Sequence, residues 1–97
     1  MDTLGDRLRA RRELLGYTLE NIEEETKIRK YYISALEENR LDLLPAKVYA
    51  VGFVRKYAKV LGLDEEEVVK EFKQLAYRDE PDEEITENQS RRESINI

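Results

Sequence analysis

The sequence has 97 residues, carries 17 Lys/Arg against 22 Asp/Glu for a net charge of −5, and contains neither cysteine nor histidine. These absences exclude disulfides and thiolate metal sites and remove the commonest general base, while no apolar run approaches the roughly 20 residues of a membrane span. A chain of this size forms one small domain with a tail, and we expect it to act by binding, without catalytic residues, a metal or a cofactor.

The first predicted helix starts at Thr3, which can cap it, with Asp6 favourably placed in its first turns. Gly16 then supplies a stop, because glycine readily takes the left-handed conformation that ends helices. The apolar side chains of this helix recur on one stripe and are expected in the core: Leu4, Leu8 and Leu15.

A short second helix follows the cap residue Thr18. Its apolar residues are Leu19 and Ile22, and the rest of the helix is acidic, with Glu20, Glu23, Glu24 and Glu25. After a tight turn at Thr26 and Lys27, a third helix is predicted from about residue 29 to residue 38, where Asn39 can end it. The side chains expected to be buried around this helix are Ile28, Tyr32, Ile33 and Leu36.

The connector after the third helix carries leucines that are expected to close the core from below: Leu41, Leu43 and Leu44. Pro45 suits the first turn of a fourth helix, which is predicted to run to Leu61 and to stop at Gly62. Asp64 and Glu67 have the spacing of a capping box at the start of a fifth helix. The expected buried face of the fifth helix consists of Val68, Val69, Phe72 and Leu75.

Beyond about residue 78 the helical pattern ends. Residues 79–84 form an acidic block with one proline, and the last third of the chain is strongly acidic whereas residues 1–62 carry a small positive excess. This polar segment cannot bury enough apolar surface to offset the entropy of ordering it, so we expect disorder. The sequence therefore predicts an all-α, five-helix bundle containing a helix-turn-helix over residues 1–78, followed by a disordered acidic tail over residues 79–97.

The predicted second and third helices are joined by a short turn, as in a helix-turn-helix. The residues around Arg12, Gly16–Ile22 and Thr26–Glu37 resemble the Cro/repressor-like family. The resemblance implies an ion pair between Arg12 and Glu37, which would join the first and third helices. One position departs from the family pattern, because Glu23 stands where a small alanine usually allows close packing, and this implies a looser crossing of the second and third helices.

A more specific resemblance begins at the connector, where residues 44–64 read LPAKVYAVGFVRKYAKVLGLD. This stretch, together with residues 26–38, is similar to the RodZ family of bacterial cell-shape proteins. The resemblance covers about residues 3–76. It implies a domain on the cytoplasmic side of the bacterial inner membrane that binds the actin-like filament protein MreB. Family members are anchored by a membrane helix that would lie outside this fragment, and they reach other elongation-complex membrane proteins through their remaining parts. The resemblance also implies that Phe53 and Tyr57 are the aromatic contacts to MreB.

The fourth helix supports a binding surface by a separate route. Its apolar residues cover an arc of about 200°, whereas a helix docked on one core needs little more than about 100°. One half of the arc is aromatic, and cations lie beside it, as in protein-binding hot spots. We therefore predict a protein-binding site made of Tyr49, Phe53, Tyr57, Arg55, Lys56 and Lys59. The alternative is that the fifth helix covers these rings.

Two other functions remain open. A DNA-binding transcription regulator would use the start of the third helix, namely Arg29, Lys30 and Tyr31. The glutamates of the second helix and the acidic fifth helix and tail would repel phosphates, which makes DNA an unfavourable partner. A dimerising scaffold that uses the same aromatic patch is the other alternative.

Overall fold

The computed structural model describes residues 2–77, which form five α-helices and one short 3₁₀ turn. In chain order these are α1 Leu4–Leu14, α2 Leu19–Thr26, α3 Lys30–Glu37, the 3₁₀ turn Leu41–Leu43, α4 Lys47–Val60 and α5 Glu65–Ala76. This arrangement confirms the predicted all-α bundle with a helix-turn-helix, formed by α2 and α3. The predicted domain boundary at residue 78 and the predicted disorder of residues 79–97 lie outside the described residues.

Local capping explains where three of the helices begin. The Thr3 hydroxyl accepts the backbone N–H of Asp6, and the Asp6 carboxylate accepts that of Thr3, so α1 has a complete capping box. Thr18 forms the same arrangement at the start of α2, with Asn21 as its partner. At the start of α5, the carboxylate of Asp64 accepts the N–H of Glu67 at 3.2 Å.

Asn39 ends the α3 segment and also fastens it to the start of α1. Its backbone is left-handed, with φ of 61°. Its side-chain amide donates to the Thr3 hydroxyl at 2.7 Å and accepts the N–H of Gly5 at 3.3 Å. The backbones approach closely here, because a Cβ on Gly5 would lie 2.5 Å from the carbonyl oxygens of Leu36 and Glu37. Glycine at position 5 is therefore required by the contact between α1 and α3.

The core draws on all five helices, with α4 and α5 forming the most extensive helix pair. Its largest fully buried side chains are Tyr57, Phe72, Leu8, Ile22, Ile28, Ile33, Leu36, Leu61 and Val54. The connector closes the bundle through Leu41 and Leu44, which pack against this core, while Leu43 is half-buried. Most of the predicted core residues are therefore found in the core.

Four details of the prediction are wrong. Leu15 is 41% exposed because it follows the last turn of α1, where the chain already bends away at Gly16. Leu75 is 51% exposed because it lies in the last turn of α5, where Ala76 and Tyr77 pack against the core instead. Pro45 precedes α4, which begins at Lys47 with Ala46 as its N-cap. Tyr32 is half-buried rather than fully buried.

Candidate protein-binding surface

Helix α4 has a buried side and an exposed side, and together they account for its unusually wide apolar arc. The buried side carries Ala50, Val54, Tyr57 and Ala58, continued after the helix by Leu61. On the opposite side, Val48 is 69% exposed and Tyr49 is 62% exposed. Of these two, Tyr49 lies at one edge of the apolar arc, so that edge is left uncovered by the rest of the domain, including α5, whereas Val48 lies outside the arc.

Tyr57 belongs to the core, so its prediction as an accessible binding residue is wrong. Its relative exposure is 0%. On a helical wheel it falls near the centre of the apolar arc, which is the part that any docked helix buries first. Its ring therefore lies inside the bundle, and its hydroxyl donates a hydrogen bond to the buried carboxylate of Glu37.

Glu37 accepts this hydrogen bond from Tyr57 and also forms an ion pair with Arg12, so the three side chains make one buried network. The guanidinium of Arg12 donates to it twice, at 2.7 Å from Nε and at 2.9 Å from Nη2. This geometry confirms the ion pair implied by the family resemblance. Burial, and then the hydrogen bond to Glu37, raises the pKa of Tyr57. The Glu37 carboxylate likewise raises the pKa of Arg12 through their hydrogen bonds. The network fixes α1, α3 and α4 relative to one another.

Phe53 is half-buried and lies at one end of a row of aromatic rings that joins two helices. Its ring centroid lies 5.6 Å from that of Tyr32 on α3, which in turn lies 5.5 Å from that of Tyr31. Tyr31 is 57% exposed. Tyr49 stands four residues before Phe53 on α4 and so shares its face. We call this face, made of Tyr31, Tyr32, Tyr49 and Phe53, the α3–α4 surface.

Sequence reasoning missed the contribution of α3 to this surface. The sequence pattern places Tyr31 among the candidate DNA contacts and Tyr32 among the residues expected to be buried. The available signal was that two consecutive rings on a helix point about 100° apart, so both cannot face the same narrow core. Which of them meets Phe53 depends on how α3 and α4 pack, which periodicity does not give.

The predicted cations divide into two groups. Lys56 and Lys59 are exposed on α4, and neither forms an ion pair within residues 2–77. Arg55 is half-buried and forms an ion pair with Glu66 of α5. Lys56, three residues after Phe53, is therefore available to a partner beside the α3–α4 surface, Lys59 is available one turn further along α4, and Arg55 serves the contact between α4 and α5.

Comparison with known proteins places this fold in a family. The family model described as a helix-turn-helix domain matches residues 7–68. A solved structure of YmfM from Staphylococcus aureus, a membrane protein with a suggested DNA-binding role, matches with a TM-score of 0.69 and 36% sequence identity. The match covers 76% of this chain and 90% of the YmfM chain.

Two curated relatives extend this result. The uncharacterised membrane protein YmfM of Bacillus subtilis is 36% identical over 72 residues, and the cytoskeleton protein RodZ of Streptococcus pneumoniae is 33% identical over 67 residues. These matches cover 71% and 69% of this chain. The chain belongs to the RodZ/YmfM helix-turn-helix family. It spans about a quarter of the length of these two relatives, 25% and 24% respectively.

In this RodZ/YmfM family member, one of the three predicted DNA contacts on the third helix, Lys30, is engaged by α2. The Lys30 ammonium lies 3.0 Å from the Glu20 carboxylate, and this ion pair raises the pKa of Lys30 and lowers that of Glu20. The N–H of Lys30 donates to Glu23 at 2.9 Å. Arg29 is exposed at the start of α3. Among the three predicted DNA contacts, Arg29 and Tyr31 are therefore accessible, and the Lys30 charge is paired.

Within residues 2–77 of the family member, none of the helices is long and apolar enough to cross a membrane. The same residues contain no cluster of three or more acidic, histidine or cysteine side chains that could hold a metal ion.

Proposed function

We propose that this domain is a protein-binding adaptor that attaches an actin-like filament protein of the MreB class through the α3–α4 surface. The observation that carries the proposal is the row of rings from Tyr31 through Tyr32 to Phe53, with the exposed Tyr49 beside it. Aromatic side chains are enriched at the centres of protein interfaces and contribute much of their binding energy. A row of rings drawn from two helices, half-buried at Tyr32 and Phe53 and exposed at Tyr31, fits such a centre better than scattered surface residues.

The family relation supports a partner from the cytoskeleton. RodZ of Streptococcus pneumoniae, which shares this domain, is a cytoskeleton protein, and both curated relatives are far longer than this chain. In the proposed arrangement, the remaining parts of the whole protein hold the domain at the cytoplasmic side of the bacterial membrane and contact other elongation-complex proteins. The filament would thereby be linked to the membrane and to cell-wall synthesis.

The proposal predicts that removing rings of the α3–α4 surface weakens binding strongly while the helices persist, with the smaller loss of stability at the exposed Tyr49 and the larger at Phe53, which packs against the core. Tyr49→Ala and Phe53→Ala should each weaken binding by about 2 kcal/mol, or roughly 30-fold. Co-sedimentation with MreB filaments measures the loss, and circular dichroism checks that the helices persist.

Leu14→Ala is the matched control, because Leu14 is an exposed apolar residue of α1 outside the α3–α4 surface. It should pellet with the filaments as the parent does. The assignment is overturned if Tyr49→Ala and Phe53→Ala also pellet at the parent level while remaining folded.

DNA binding is the alternative raised by the suggested role of the Staphylococcus aureus YmfM. It is disfavoured here because α2 brings Glu20, Glu23, Glu24 and Glu25 next to the helix that would enter the groove. A gel shift at low salt separates the two functions. A salt-dependent shift that is lost in an Arg29→Ala/Lys30→Ala variant would favour DNA over the filament protein.

A further inference from the structure

Gly52 lies in the middle of α4, a position where glycine weakens a helix. Two structural needs commonly explain such a glycine, and neither applies. The glycines with positive φ in residues 2–77 are Gly16 and Gly62, so Gly52 has a backbone that any residue can adopt. A Cβ built on Gly52 meets nothing within 4 Å, in contrast to Gly5. The fold of the described domain therefore does not require glycine at position 52.

The position of Gly52 indicates what does require it. Residues three and four apart on a helix are neighbours on one face, so Gly52 lies between Val48 and Tyr49 on one side and Lys56 on the other. All three of these side chains are exposed. Because position 52 carries no side chain, the space above the helix backbone is open there, and we call this space, at the edge of the α3–α4 surface, the depression.

We propose that Gly52 is a specificity-determining contact position, at which a side chain of the filament partner enters the depression and packs on the backbone of α4. The walls define the chemistry of that side chain. Val48 and Tyr49 offer apolar contact, while the ammonium of Lys56 is not paired within residues 2–77. The depression therefore fits a partner segment in which an apolar side chain, packed against Val48 and Tyr49, stands next to a carboxylate that pairs with Lys56. This inference rests on the proposed binding of the filament protein.

The test is a series of substitutions in the full chain: Gly52→Ala, Gly52→Ser and Gly52→Leu. All three residues form helices better than glycine, so each variant should be more stable than the parent, with Tm higher by about 4–8 °C for alanine. Affinity for MreB filaments should fall as the side chain grows, by about tenfold for alanine and further for leucine, because added atoms overpack the contact. A variant that is more stable yet binds less well cannot owe its loss to unfolding.

Ala10→Leu is the control for added bulk, because Ala10 is exposed on α1 and lies outside the α3–α4 surface. It should bind as the parent does. If Gly52→Leu binds at the parent level while Tyr49→Ala does not, the role of Gly52 is overturned and the proposed function stands. If both bind at the parent level, the proposed function fails and this inference fails with it. A Gly52→Ala variant less stable than the parent would show that the fold needs glycine, which also overturns the inference.

Discussion

Glu37 is the central residue of the buried hydrogen-bond network of the domain. Its carboxylate is almost fully buried and accepts hydrogen bonds from Arg12 and Tyr57, with Arg9 at 3.4 Å as a weaker, more exposed partner. A buried charge is tolerated only when it is paired and its remaining acceptor sites are satisfied. The phenol of Tyr57 completes that set, so a residue predicted to bind a partner is needed for the stability of the fold.

Removing the Tyr57 hydroxyl tests this role. Tyr57→Phe should lower the free energy of unfolding at pH 7 by about 1–2 kcal/mol, because a hydrogen bond to a buried charged group is lost while the ring stays in the core. Urea unfolding followed by circular dichroism measures the change. Tyr49→Phe, which removes the hydroxyl of an exposed ring, should change stability much less.

The same variant should behave differently at alkaline pH. The pKa of Tyr57 is raised in the folded state by burial and by Glu37, while an unfolded tyrosine ionises near pH 10. Above about pH 10 the unfolded state thus loses a proton that the folded state keeps, and stability falls by up to about 1.4 kcal/mol per pH unit. Tyr57→Phe lacks this component, so its disadvantage should shrink from pH 7 to pH 11. A constant difference between the two proteins over this range would contradict the assignment.

At the residue scale, the sequence predicted which side chains lie on the wide face of α4 but not which of them are covered. Tyr49 and Tyr57 both belong to the apolar arc, yet the structure exposes the first and buries the second. Helical periodicity gives an angle around one helix, whereas burial depends on where neighbouring helices dock. The family resemblance correctly predicted the ion pair between Arg12 and Glu37. It did not predict that Tyr57 also donates a hydrogen bond to Glu37.

At the scale of elements, α2 and α3 are joined by polar contacts, and one of them replaces the side-chain cap that α3 lacks at its N-terminus. The N-cap of α3, Arg29, makes no side-chain capping bond. Instead, the half-buried Glu23 of α2 accepts the N–H of Lys30 at 2.9 Å. In the turn, the hydroxyl of Thr26 donates to the Ile22 carbonyl and accepts the N–H of Ile28. The glutamate at the usual alanine position thus links the two helices.

Glu23→Ala, which restores the residue that family resemblance leads one to expect, should therefore destabilise this domain. Losing a capping acceptor typically costs about 1 kcal/mol, and no other side chain caps α3. Thermal unfolding should show a lower Tm for Glu23→Ala than for Glu24→Ala, an exposed position on the same helix. Glu23→Gln should lie between them, because its amide oxygen still accepts the N–H. Stability equal to or above the parent for Glu23→Ala would mean that closer packing outweighs the cap.

The elements that the sequence predicted best are those set by neighbours in the chain. Thr3, Thr18 and Asp64 cap their helices as expected, since each acts on a backbone group three residues away. The errors at Pro45 and Leu75 arise at helix ends. There, the position of the first or last turn depends on which other elements pack against it.

At the scale of the whole molecule, the charges are distributed unevenly over the fold. Acidic side chains dominate α2 and the first turn of α5, which carries Glu65, Glu66 and Glu67. On α4, Lys56 and Lys59 form no ion pair within residues 2–77, and Lys56 lies beside the α3–α4 surface. The predicted cation-edged aromatic patch is therefore present in altered form, because tertiary packing removed Tyr57 and Arg55 from it and added Tyr31 and Tyr32.

This distribution predicts how binding to the filament protein should depend on salt. Charges at the rim of an interface mainly affect the rate of association, because they steer partners over several ångströms and are screened by salt. Lys56→Glu should therefore slow association by about threefold to tenfold at low ionic strength, with a smaller effect on dissociation. Surface-immobilised MreB filaments and stopped-flow mixing measure the two rates separately. Lys70→Glu, which makes the same charge change at an exposed position of α5, should have much less effect. Equal slowing by both variants would show that net charge, rather than the position of Lys56 beside the α3–α4 surface, governs the encounter.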